Sequence, residues 1–214
     1  MPLQRTPLLS IALIVALPVV YALAVLHGGS FWRGLSTQTA REYGVLPVAP
    51  RPEEFLRSLF LHASFPTLLV DVLALGVFAP AVEDVLGRAR FLVLYLLGGS
   101  LALALQLLVV SVSLVPAFGP VAAVAAVLSA YLATRPRARV VSLVLIPFFA
   151  TIVEVPAALY LAVWLGLQLW FTIGGVASPI TGDAGAACGA LACSALVGWL
   201  FARGTVPTHS KAHA

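Results

Sequence analysis

The sequence predicts an all-α, polytopic membrane bundle, and three observations predict it. Hydrophobic residues make up 61% of the chain and charged residues only 9%, against roughly a quarter charged in soluble domains. Six stretches are apolar enough, and long or nearly long enough, to cross a hydrocarbon core that takes about 20 helical residues to span. The basic residues gather in alternate connections between those stretches, as they do when a chain threads back and forth across a bilayer.

The elements follow in order within a single domain, 1–214, with spans expected at about 8–26, 55–78, 91–114, 119–133, 157–173 and 185–201. The first run is longer than the apolar part of a cleaved leader and is followed by no small-x-small cleavage site, so it reads as a retained span. Residues 27–58 are too polar to cross, yet they carry Phe31, Trp32, Leu35 and Tyr43 beside charges. That mixture suits a long first loop lying at headgroup depth. The fourth span is short but rich in Gly, Ala and Pro, as befits a helix buried among others. The run 140–171 is too long for one simple span and is broken by Pro147 and Pro156. Val140–Val153 therefore reads as a β-branched, interfacial or re-entrant stretch, with span five starting at Ala157. Span six carries Gly185-x-x-x-Gly189, a small-residue face to which Ala122, Ala126 and Ala130 of span four offer a matching stripe.

Charge sets the expected orientation. Arg5, Arg88, Arg90, Arg135, Arg137, Arg139, Arg203 and Lys211 fall on one side, eight in all. Four, Arg33, Arg41, Arg51 and Arg57, fall on the other, mixed with Glu42, Glu53 and Glu54. Both termini are thus expected in the cytoplasm. The net charge of +4 reflects this bias, and no basic patch interleaved with aromatics argues for nucleic acid. Cys188 and Cys193 lie five apart on one apolar helix, point to different faces, and read as small packing residues.

Residues 60–99, FLHASFPTLLVDVLALGVFAPAVEDVLGRARFLVLYLLGG, closely follow the pattern FLHxSxxHLxxNMxxLxxxGxxVExxxGxxRFxxLYLxxG. Phe60, Leu61, His62, Ser64, Leu68, Val82, Glu83, Gly87, Arg90, Phe91, Tyr95 and Gly99 are among the matches. This segment resembles the second and third membrane helices of the rhomboid intramembrane serine proteases. The text PRARVVSLVLIPFFATIVEVPAALYLAVWLGLQLW resembles a later segment of many bacterial rhomboids. The resemblance implies a six-helix rhomboid bundle with a large first loop partly embedded in the outer leaflet of a bacterial-type inner membrane. It also implies structural roles for His62, Glu83 and Arg90.

The chemistry departs from that pattern. Where the family carries a second His and an oxyanion-binding Asn, this chain has Thr67 and Asp71. Aligning the family's AYL to Ala130-Tyr131-Leu132 puts its GxSG motif on Gly119-Pro120-Val121-Ala122, so the nucleophile position is Val121. The family's GGVA matches 174–177, after which the catalytic His falls on Thr181, or on Gly182 with the downstream glycines aligned. No His lies between His62 and His209, so no shift of alignment restores a Ser–His pair. Ser111, Ser113 and Ser129 are the remaining hydroxyls considered, and each reads as a residue bonding its own backbone or a neighbouring helix. His62, Asp71 and Glu83 lack the spacing of a metal site, and no cofactor motif is present.

Asp71 sits mid-span, where a carboxylate costs about 2.5–3.5 kcal/mol on insertion scales. The sequence names no partner for it. It reads either as a polar contact for a bound client helix or as a protonated or hydrogen-bonded residue in a polar pocket. No role is assigned to Glu154. The sequence thus predicts an inactive rhomboid relative that binds transmembrane segments of client proteins, with Asp71, Leu75 and Trp164 as client contacts. An unconventional intramembrane serine protease and a small transporter or channel are the alternatives; no repeated halves support the latter.

Overall fold

The computed structural model describes residues 6–109, 114–146, 149–173 and 184–205. Helix α1 (Leu8–His27) leads into a first loop built of a short hairpin, β1 (Gly29–Ser30) with β2 (Gly34–Leu35), then α2 (Thr37–Tyr43) and α3 (Pro52–Ser58). Four longer helices follow: α4 (Phe65–Leu86), α5 (Arg88–Val109), α6 (Pro120–Thr134) and, after the antiparallel pair β3 (Arg139–Ile146) and β4 (Phe149–Pro156), α7 (Ala157–Ile173). The last helix is α8 (Ala184–Thr205).

Four of these helices, α1, α4, α5 and α8, are long and apolar enough to cross a membrane; α6 and α7 are shorter apolar helices. The burial pattern is that of a bundle in lipid. On α1, Leu13, Leu17, Tyr21 and Ala24 are buried, while Leu8, Ile11, Val15, Val19 and Leu23 point outward and are at least half exposed. Similar outward apolar rows run along α4, α5 and α7. In water such patches would far exceed what a soluble monomer presents, and the bilayer is the solvent that accommodates them.

Span two begins later than its apolar text suggests. Phe55–Ser58 belongs to α3, residues 59–64 form a link, and Ser64 and Pro66 set the start of α4. Proline near a helix start is favoured because its missing N–H would have no partner there anyway. The helix ends at Gly87, which has φ of 79°, a left-handed conformation that glycine adopts without a Cβ penalty. The stretch expected to be interfacial or re-entrant is a β-hairpin across 139–156, registered from Arg139 opposite Pro156 to Ile146 opposite Phe149. Glu154 gains a partner there, Arg139, at 3.7 Å, but both are exposed and the pair adds little.

The bundle closes on small residues, of which Gly189 is not one. Helix α8 packs against α5 and α6 through Ala190, Ser194, Gly198 and Ala202, one every fourth residue and all buried. Ser194 Oγ donates to the Ala122 carbonyl. A Cβ on Gly198 would come within 3.0 Å of the Ala126 carbonyl and of Ser129 Oγ, and one on Gly98 would strike Ala126. Gly189 lies on the opposite side, exposed and with nothing within 4 Å of where a Cβ would stand. Gly189 is therefore not a packing position among the described residues, and the surroundings of Gly185 lie outside them. One residue of helix rotates a face by about 100°, and in this segment small residues occur on more than one face. The stripe Ala122, Ala126, Ala130 on α6 is buried as expected.

Gly198→Ala should lower stability by about 1–3 kcal/mol, the usual range for overpacking. Gly189→Ala should be neutral or slightly stabilising, since Ala is the better helix former. Thermal unfolding in detergent separates the two, and equal effects would show that α8 is rotated from this description.

Candidate functional site

The two ends of the bundle are fixed by polar contacts that frame its interior. At one end, buried Glu83 near the close of α4 accepts hydrogen bonds from the Leu9 N–H (3.2 Å), the Ser10 N–H (2.7 Å) and Ser10 Oγ (2.7 Å). A carboxylate facing the first turn of α1 satisfies orphan amides and the positive end of the helix dipole. Arg90 Nη1 donates to the Thr205 carbonyl at 3.2 Å, the mirror arrangement at the end of α8. Both residues thereby serve the ends of other helices, and Glu83 also faces Arg88 across the α4–α5 turn at 3.8 Å. At the other end, the first loop is tied down by Tyr21 to the Phe31 carbonyl, Thr39 to the Gly28 carbonyl, and a bridge between Val45 and Ala117. Trp32 meets Phe31 and Phe65 edge to face, Phe31 meets Tyr21 in the same way, and Trp32 remains 73% exposed.

Between these ends lies one buried polar cluster. Asp71, on the second turn of α4, is 0% exposed. Its Oδ2 lies 3.1 Å from His62 Nε2. Its Oδ1 accepts from Trp164 Nε1 at 3.1 Å and from Gln168 Nε2 at 2.5 Å. His62 reaches it because the link before α4 folds back over the start of that helix. Trp164 and Gln168 reach it because they are four apart on α7 and share a face. His62 Nδ1 is buried and, among the described residues, has no hydrogen-bond partner. The carboxylate for which the sequence named no partner has three.

The other expected site residues sit as follows. Thr67 donates to the Ser64 carbonyl at 2.9 Å and bonds Ser64 Oγ at 3.1 Å, closing the first turn of α4. Val121, at the start of α6, packs against the apolar core. Ser129 donates to the Ala126 carbonyl at 2.9 Å, within its own helix. Thr181, Gly182, Ser111 and Ser113 lie outside the described residues. Leu75 and Trp164 are turned into the bundle, 0% and 4% exposed, so neither side chain lies on the lipid-facing surface where a client contact was expected. Their neighbours Leu73 and Val163 occupy that surface, each 56% exposed. Gln168 was missed by sequence reasoning. The usable signal was an isolated amide on an otherwise apolar helix, matched to an isolated acid on another.

The chain matches the rhomboid domain over residues 51–204. It belongs to the rhomboid family. The match runs from the end of the first loop to the last turn of α8 and contains the whole polar cluster. No curated protein matches the chain. With the family established, the apolar helices place this rhomboid protein as an integral membrane protein in a lipid environment.

The arrangement suits holding a carboxylate in place. Each hydrogen bond to a charged group contributes about 1.5–3 kcal/mol, and stripping the partners from a buried charge costs about 3–5 kcal/mol. Asp71→Leu removes the acceptor and leaves three buried donors facing an alkyl chain, so it should lower stability by about 3 kcal/mol or more. Asp71→Asn should cost clearly less. Its carbonyl can still accept from α7, and its amide can donate to His62 once the imidazole proton moves to Nδ1. Unfolding of both variants in the same detergent checks this, and a neutral Asp71→Leu would contradict the geometry.

Proposed function

We propose that this rhomboid protein has lost proteolysis and binds transmembrane segments of client membrane proteins. The observation that carries the reading is the pairing of an intact fold with a polar centre whose carboxylate is held by donors and has no nucleophile assigned to it. Val121, at the family's nucleophile position, is an alkyl side chain packed against the core. His62 is committed to Asp71 through one nitrogen. Acyl transfer requires a nucleophile, a base in reach of it, and donors aimed at the developing oxyanion. A carboxylate at the oxyanion position repels that charge instead. What the fold still offers is a lipid-facing seam beside α4 and α7, where a second apolar helix can lie.

The proposal includes a six-span topology, with α6 and α7 crossing as short helices, in a bacterial-type inner membrane with both termini in the cytoplasm. The start of α1, the α4–α5 turn and the end of α8 meet at one end of the bundle through Glu83, Arg88 and Arg90. The basic turn and the two terminal segments thus share a side, which the positive-inside rule assigns to the cytoplasm. Reporter fusions within 134–139 should report cytoplasm and fusions within 28–50 the outside; the reverse pattern would defeat the orientation.

The functional test uses purified protein in liposomes and protein in its native membrane. A fluorophosphonate probe should label nothing, and a generic rhomboid substrate should remain uncut. Photo-crosslinkers at Leu73 and Val163 should capture membrane proteins more often than one at Val15 on α1. Labelling abolished by Ser129→Ala would establish residual protease chemistry, and uniform capture over the surface would end the client-binding reading.

A further inference from the structure

The geometry points to Asp71 as an exchangeable docking acceptor: a transmembrane segment bearing an N–H donor at the depth of Asp71 displaces Trp164 and Gln168 from the carboxylate and takes their place. This inference rests on the client-binding reading and names the chemistry of the client.

The three donors are not equivalent. His62 belongs to the same stretch of chain as Asp71, nine residues before it, and moves with α4. Trp164 and Gln168 belong to α7, and they account for two of that helix's three buried side chains among the described residues, Ala157 being the third. Tyr160 and Leu161 are only partly buried against the core, and nothing lies within 4 Å of a Cβ built on Gly166. The seat of α7 against α4 thus combines two hydrogen bonds to Asp71 with the apolar contacts of the Trp164 ring and of Tyr160 against Phe78. Breaking those two bonds without replacement strands a buried carboxylate, which holds α7 closed against apolar neighbours and lipid. A donor from another helix restores a bond to the carboxylate in the same dry setting, and a Gln or Asn side chain can in addition accept, through its carbonyl, from the resident donor it releases. An apolar segment cannot make that exchange, whereas one carrying Gln, Asn, Lys, Arg or Trp at the right depth can. Selection by an unmet acceptor is stronger than selection by apolar fit, because the wrong partner leaves a polar group unpaired.

The test uses the intact protein in liposomes with a photo-crosslinker at Val163. Two synthetic 20-residue Leu/Ala transmembrane peptides serve as probes, identical except for a single central Gln in one. The Gln peptide should be captured roughly fivefold to tenfold more than its apolar twin, the scale of one interhelical hydrogen bond in a membrane. Gln168→Leu, which removes a competing resident donor and keeps the acceptor, should increase that preference. Asp71→Leu should erase it. Because Asp71→Leu can also impair folding, the opposite response of Gln168→Leu carries the decision. Equal capture of both peptides, unchanged by Gln168→Leu, overturns the exchange while leaving the client-binding reading standing. Capture of neither peptide by any variant overturns both.

Discussion

A carboxylate placed inside a membrane bundle must find donors from the protein itself, because no bulk water is there to supply them. Asp71 meets that demand with an imidazole from its own segment and an indole and an amide from α7. The rest of the interior is arranged around this requirement. The link from Leu59 to Ser64 must fold back to deliver His62, and it is held by Tyr95 donating to the Leu59 carbonyl at 2.9 Å. Leu59 in turn fits against Gly99 and Gly119, where a Cβ would collide with it. Helix α7 must present Trp164 and Gln168 on one face, a turn apart, and its other described face is left to lipid.

The two remaining polar devices solve a different problem. Helix ends in a bilayer protein leave four amides or four carbonyls without intrahelical partners. Glu83 serves the start of α1 and Arg90 the end of α8, each reaching across the bundle from one turn. The α4–α5 turn thereby joins four helices, α1, α4, α5 and α8, at one end. Between that turn and Asp71 the contacts are apolar or small, with Gly98 and Gly198 letting α5, α6 and α8 approach more closely than side chains would allow. This division leaves α1, α4, α5, α6 and α8 as the firm part of the bundle. Helix α7 adds to its apolar contacts two side-chain bonds to Asp71.

Much of this was legible in the sequence, for reasons that also explain what was not. Apolar length locates helices, so α6, α7 and α8 fell within a few residues of expectation. The start of α4 moved by ten residues because Phe55–Phe65 is apolar enough to span, while Ser64 and Pro66, not hydropathy, decide where the helix begins. Rhomboid membership was readable from local motifs between His62 and Gly99 and is matched over 51–204. The two α7 partners of Asp71 were not readable, since they lie 93 and 97 residues away and no local pattern encodes that meeting. Helix phase was the other limit. Leu75 differs from outward-facing Leu73 by two positions, and Gly189 from buried Ala190 by one. Apolar residues on every face of a membrane helix remove the amphipathic signal that fixes phase in soluble bundles.

The central claim is that Asp71 and α7 are energetically coupled through the indole and the amide. A double-mutant cycle of Asp71→Asn and Trp164→Phe, read by unfolding in a mild detergent, tests it most directly. The account predicts a coupling of about 1 kcal/mol or more, because each single change removes or weakens the same bond. Additivity within about 0.3 kcal/mol, the behaviour of independent sites, would contradict it.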